Sequence, residues 1–184
     1  QGMYRVNEIF YSLQGEGFFT GSAAVFVRLS GCNRACAFCD TDHRAFTLMT
    51  ADEIVAIASK YESRFVVVTG GEPLLQLDDA LVGALKAAGF FVAVETNGTL
   101  PVPQGVDWVT CSPKEKPWNI DRIDELKIVW QGQDVEAIAR ELPEATHRFL
   151  QPLSCSNTDE VVGYILRNPR WRLSLQTHKL IGIQ

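Results

Sequence analysis

Apolar and polar positions along this chain follow two alternating rhythms. Short β-branched and aromatic runs recur, each closing on glycines and polar residues, with stretches of helical period between them. From Tyr4 the alternation fits a short strand, which breaks into the glycine-punctuated turn Gln14-Gly15-Glu16-Gly17. Ala24–Ser30 reads as a strand carrying one charge, Arg28, inside its apolar run. Thr50-Ala51-Asp52-Glu53 is a capping-box pattern, and Ile54, Val55, Ile57, Ala58 and Tyr61 form the inner face of a helix ending near Tyr61. Phe65–Thr69 is continuously apolar, as in a strand covered on both faces, and ends in Gly70-Gly71-Glu72-Pro73.

The rhythm continues to the end. Helices are predicted from about Asp78 to Ala88, from about Gln133 to Glu141 and from Asn157 (as cap) to Leu166. Strands are predicted at Phe90–Glu95, Asp107–Cys111, Glu125–Trp130, Arg148–Gln151 and Arg172–Thr177. Strands alternating with helices imply an α/β fold with a largely parallel sheet, whose ligands gather at the carboxyl ends of the strands. The polar clusters fall there: GGEP, Glu95-Thr96-Asn97-Gly98-Thr99, Ser112-Pro113-Lys114, Gln151-Pro152 and Gln176-Thr177-His178-Lys179. Thr99–Gly105 and Lys114–Arg122 lack a clear helix, so an abbreviated, incomplete (βα) partial barrel is expected.

Composition narrows the class. The 184 residues are 46% hydrophobic and 21% charged, which suits a single domain over 3–184 with a proper core. Gln1-Gly2 ahead of Met3 reads as a tag remnant. The net charge of −5 argues against a broad nucleic-acid surface. No apolar run is long enough to span a bilayer and nothing resembles a signal peptide, so a cytoplasmic location is expected. Charges inside apolar strands, at Arg28 and Lys127, need partners in protein or ligand.

The sharpest chemistry lies in Ser30–Thr41. Cys32, Cys36 and Cys39 are spaced CxxxCxxC, with Phe38 before the last. Three thiolates this close can hold three corners of a cubane [4Fe–4S] cluster and leave one iron open. A structural zinc with His43 as fourth ligand, or buried thiols, would use the same residues. An odd count of five cysteines, in a chain that is not short and cysteine-dense, argues against a disulfide framework. Cys111 and Cys155 stand apart from the loop, and packing is their expected role.

The loop together with GGEP resembles the radical S-adenosylmethionine (SAM) superfamily. The wider set EIFYSLQGEG, CDT, ETNGT, SPK, ELKIV, LQP and QTHKLIGI resembles the 7-carboxy-7-deazaguanine synthase family of queuosine and deazapurine biosynthesis. Some members carry a long insert between the first two cysteines; this chain has the plain three-residue gap.

That resemblance implies a lyase converting 6-carboxy-5,6,7,8-tetrahydropterin to 7-carboxy-7-deazaguanine. Hydrogen abstraction by a 5′-deoxyadenosyl radical would start a ring contraction that ends with loss of ammonia. It implies a [4Fe–4S] cluster on Cys32, Cys36 and Cys39, and Mg²⁺ held by Thr41. SAM would lie on Phe38, Cys39, Asp40, Gly71, Ser112, Pro113, Lys114, Gln151, Pro152, Leu153 and Ser154. The pterin would contact Leu13, Gln14, Gly15, Arg28, Thr69, His178 and the terminal Gln184. A flavodoxin or ferredoxin reductant is implied, and an abbreviated barrel with apolar edges suggests a homodimer. A glycyl-radical activating enzyme shares the compact loop, and a non-catalytic zinc or iron–sulfur module is the alternative outside catalysis. LQGEG and the polar C-terminal motif favour a small molecule over a protein substrate.

Overall fold

The computed structural model describes residues 2–34 and 45–184. Cys36, Phe38, Cys39, Asp40, Thr41 and His43 lie outside these residues. So does the side chain of Cys155.

Among the described residues one nine-stranded sheet runs in the order β3-β1-β2-β4-β5-β6-β7-β8-β9. β1 (Met3–Leu13) pairs antiparallel with β2 (Ala23–Leu29) on one side and β3 (Thr47–Thr50) on the other. From β2 onward every pairing is parallel, through β4 (Phe65–Gly70), β5 (Phe91–Thr96), β6 (Trp108–Cys111), β7 (Ile123–Trp130), β8 (Ala145–Pro152) and β9 (Arg172–Leu173). Among the described residues the α-helices are α1 (Ala51–Ala58), α2 (Asp79–Ala87), α3 (Val135–Glu141), α4 (Thr158–Arg167) and α5 (Thr177–Leu180).

Local sequence explains most of these boundaries. Thr50 and Glu53 form the reciprocal capping box of α1, and Asp78 and Asp134 cap α2 and α3 by accepting from Leu81 N and Ala137 N. Alternation along the strands sorts the core into two layers. Val66, Val68, Val92, Val94, Val109, Leu126 and Ile128 pack beneath Ile54 of α1 and Leu81 and Leu85 of α2 in the main core. Ala24, Phe26, Val67 and Ala93 form a smaller cluster on the opposite, open face, with Phe10, Phe65 and Trp108 against it.

The β1–β2 turn folds across that open face. Phe18 and Phe19 bring their rings to 5.0 and 4.8 Å from Trp108. Phe18 N donates to Glu125 Oε1 at 3.1 Å, and Gly17 N donates to Ser174 Oγ at 3.0 Å. A hairpin end is thereby tied to strands on the far side of the sheet.

Four sequence expectations are corrected. The first strand is long, eleven residues with a bulge between Val6 and Glu8, and β3 was not expected. Antiparallel pairing on both sides stabilises an N-terminal strand whose own alternation is imperfect. α1 ends at Ala58, and the chain continues to Tyr61 by single turns. Asn157 does not cap α4 with its side chain; it accepts from Leu153 N at 2.9 Å and donates to Trp130 O at 3.2 Å. The last strand stops at Leu173, because Thr177 N donates to Gly15 O and the chain turns into α5.

Candidate active site

The carboxyl ends of the parallel strands surround a cavity of about 260 Å³. Cys32, Gly70 and Gly71 stand on one side of it, Thr96, Asn97, Ser112 and Lys114 on the next, and Gln151–Ser154 complete the rim. A second cavity of about 160 Å³ lies under the β1–β2 turn, lined by Phe10, Leu13, Gln14, Gly15, Phe26, His178 and Gln184. Glu16, Arg28, Thr69, Glu95 and Gln176 line both, so the two chambers share a wall.

The cysteine end of the larger chamber is held by backbone. Glu72 N donates to Gly31 O at 3.0 Å, and a Cβ on Gly71 would overlap Gly31 O and come within 2.8 Å of Cys32 Cβ. Glycine is required there so that GGEP can lie directly against the start of the cysteine loop. Glu72, 1% exposed, accepts from Thr96 Oγ1 (2.6 Å), Asn97 N (2.7 Å) and Leu74 N (3.1 Å). Burial raises its pKa, and these hydrogen bonds oppose the rise. Behind this end Cys111 is buried beneath Gly98, its thiol pushed up to about 12 by burial and by the charge of Glu72. It packs, as expected.

The shared wall is charged. Arg28 is salt-bridged to Glu8 (Nε–Oε1 2.9 Å) and still lines both chambers, so both readings of this arginine bear on one side chain. Glu95 accepts from Gln14 Nε2 at 3.1 Å and from Thr69 Oγ1 at 3.4 Å. Lys127 is ion-paired with Glu16, which also accepts from Gln151 Nε2 at 3.1 Å. Burial alone would raise the Glu16 carboxyl, but the Lys127 ammonium, with His178 and Gln151, brings it down to about 2. Burial opposes the Lys127 charge, and Glu16, Glu95 and Glu125 more than offset it, so its pKa is raised.

The turn that carries Glu16 depends on its two glycines. A Cβ at Gly15 would overlap the His178 ring, and one at Gly17 (φ +67°) would overlap Glu125 Oε1.

Comparison with known proteins decides the family. The Radical SAM superfamily profile matches residues 26–151. A Bacteroides thetaiotaomicron protein named 7-carboxy-7-deazaguanine synthase is 58% identical over 183 residues, covering 99% of this chain and 100% of the relative. The chain belongs to the 7-carboxy-7-deazaguanine synthase family of radical SAM enzymes. A Bordetella pertussis protein of the same name is 46% identical over 98% of this chain and 99% of its own. The crystal structure of QueE from Escherichia coli superposes with a TM-score of 0.81 at 30% identity, covering 96% of this chain and 95% of that one.

Radical SAM enzymes use a [4Fe–4S] cluster and SAM. The described part of the site fits such a load: a half-buried thiol at Cys32 opens into a chamber rimmed by glycine backbone and polar strand ends. In this 7-carboxy-7-deazaguanine synthase family member the sequence-predicted residues separate by chamber. Gly71, Ser112, Lys114 and Gln151–Ser154 line the larger one, with Pro113 buried between two of them. Leu13, Gln14, Gly15, His178 and Gln184 line the smaller one. His178 stands on α5 and not at a strand end, and Gln184 is tied back through Ser12 Oγ to its backbone O and through its amide to Glu8 Oε2. Glu16, Glu95 and Lys127 were not assigned from sequence, although the charge of Lys127 inside an apolar strand was the signal that could have found the pair.

Proposed function

We propose that the chain is a radical SAM lyase that converts 6-carboxy-5,6,7,8-tetrahydropterin to 7-carboxy-7-deazaguanine, with ring contraction and loss of ammonia. The observation that carries this reading is the 58% identity, end to end, with a relative bearing that enzyme's name.

Cys32, with Cys36 and Cys39, would hold the cluster. Gly71, Ser112, Pro113, Lys114, Gln151, Pro152, Leu153 and Ser154, with Phe38, Cys39 and Asp40, would hold SAM. When bound, the cluster and SAM supply the one-electron chemistry that removes a hydrogen atom from the substrate. Everything else is positioning.

The smaller chamber suits a flat heterocycle. Phe10 and Phe26 stack at 4.9 Å on the open face and present an apolar wall, while Gln14, Gly15 and His178 supply hydrogen-bonding edges. Arg28 and Thr69, on the shared wall, would meet the substrate carboxylate, and Leu13 and Gln184 would close the far side. Gln14, Gly15 and Glu16 of the β1–β2 turn line one side of the chamber and would limit water around a bound substrate. Thr41 would supply one oxygen to Mg²⁺, a cation that suits oxygen ligands and a substrate carboxylate.

The chain forms one domain over 3–184 in this reading. Among the described residues no helix is long and apolar enough to cross a membrane. A cytoplasmic location fits a chain that takes electrons from a flavodoxin or ferredoxin. Exposed Met3 and Leu48, on β1 and the edge strand β3, support a homodimer.

Anaerobically reconstituted protein should turn over the carboxypterin in the presence of SAM, dithionite and Mg²⁺, with 7-carboxy-7-deazaguanine detected by mass. Iron-loaded protein that cleaves SAM but forms no deazapurine would overturn the assignment.

A further inference from the structure

Lys127 is a buried cation, 5% exposed, on the open face of β7. Three carboxylates act on it: Glu16 from the β1–β2 turn, Glu95 from β5 and Glu125 from its own strand. Each also fastens the turn to the sheet. Glu125 takes Phe18 N, Glu95 takes the Gln14 amide, and Glu16 takes Lys127 and Gln151. Three negative charges converging on one small volume would repel the turn from the sheet unless a cation stood among them. Lys127 is that cation.

Glu16 also belongs to the wall that the chambers share, with Arg28, Thr69, Glu95 and Gln176. It lines both, between flanking glycines whose backbones lie against His178 and Glu125. A displaced Glu16 would take Gln14 and Gly15 with it, since the three are consecutive.

We propose that Lys127 is a positioning residue for the substrate chamber: it holds Glu16, and through it the Gln14–Gly17 turn, in the wall that the two cavities share. This rests on reading the smaller cavity as the pterin site.

The test compares Lys127→Met, Lys127→Arg and the charge-neutral pair Lys127→Met with Glu16→Gln. Iron content should stay within about twofold of wild type, and SAM affinity, whose chamber Lys127 and Gln151 also line, should fall less than the affinity for the carboxypterin. The carboxypterin KM of Lys127→Met should rise at least ~10-fold with kcat within about threefold, and Lys127→Arg should recover most of the loss. Without Lys127 the buried Glu16 binds a proton more readily, which relieves its repulsion with Glu95 and Glu125, so KM of Lys127→Met should move back towards wild type as pH falls from about 8 to 6. Glu95 and Glu125, facing Lys127, and Arg28 and His178, around Glu16, are present in both proteins, so Glu16 is identified by the double variant. There the extra pH dependence should vanish while KM stays raised. Hydrogen exchange at the Gly17 and Phe18 amides should be faster in Lys127→Met.

An unchanged KM and pH profile would overturn the proposal, as would equal losses in SAM affinity and iron content. If Lys127→Met does not fold, a wild-type KM in the double variant overturns it instead. Should wild type form no deazapurine, the assigned reaction fails, while amide exchange still decides whether Lys127 holds the turn.

Discussion

Asn97 donates through its side-chain amide to Asn33 Oδ1 at 3.0 Å, joining the end of β5 to the residue after Cys32. Asn33 in turn donates to Thr99 Oγ1 at 2.9 Å, and Asn97 N is held by Glu72 at 2.7 Å. The first cysteine is thus referenced to a buried carboxylate just beyond the neighbouring strand β4. Asn97→Ala leaves Asn33 and Thr99 short of partners and should cost about 1–3 kcal/mol in thermal melts of the apoprotein. The reconstituted variant should also lose iron to air faster than wild type, as followed by visible absorbance.

Glu72 has its pKa raised in the fold by burial. A raised carboxyl binds protons more tightly folded than unfolded, so its contribution is fully present below the unfolded pKa and declines as pH rises through the folded one. Glu72→Gln should therefore flatten the loss of stability seen in urea melts as pH rises above the ordinary carboxyl value of 4.5. Glu125, raised the same way, remains in both proteins and cancels in the comparison.

Glu16 has the opposite sign. Its pKa falls from 4.5 to about 2, so its stabilisation is present above the unfolded value and is lost as pH drops from about 4.5 towards 2. That loss should be on the order of 3 kcal/mol, and Glu16→Gln should show a shallower acid limb in denaturant titrations at stepped pH.

Asp78 serves two elements at once. It caps α2 through Leu81 N at 2.9 Å and accepts from Tyr4 Oη at 2.7 Å, tying the helix to β1. Asp78→Ala should cost about 2 kcal/mol, and Tyr4→Phe about 1 kcal/mol, by thermal denaturation.

Cys32 is half-buried and its neighbours are held by GGEP and Asn97, not by the sulfur alone. Cys32→Ala should fold with a melting temperature near that of wild-type apoprotein, yet retain well under the wild-type iron and form no product. A variant with full iron content would remove Cys32 from the ligand set.

The periodicity of the chain was enough to order most of the elements, because each parallel strand here is an apolar run ending in a polar or glycine-rich corner. The cysteine spacing and GGEP were local chemistry, legible without a fold. What pairing alone decides was less legible. β3 has no pattern of its own and exists because β1 offers it an edge, and the expected strand beyond Leu173 gives way to α5 because Gly15 captures Thr177.

By itself the sequence determined the class of cofactor chemistry and the strand ends where it gathers, since both reside in contiguous residues. Only the tertiary structure decided that Glu16 meets Lys127 and that Asn33 meets Asn97, residues 111 and 64 positions apart. Such partners are chosen by which strands become neighbours and which face each side chain takes, and a buried charge announces that it needs a partner without saying where the fold will bring one.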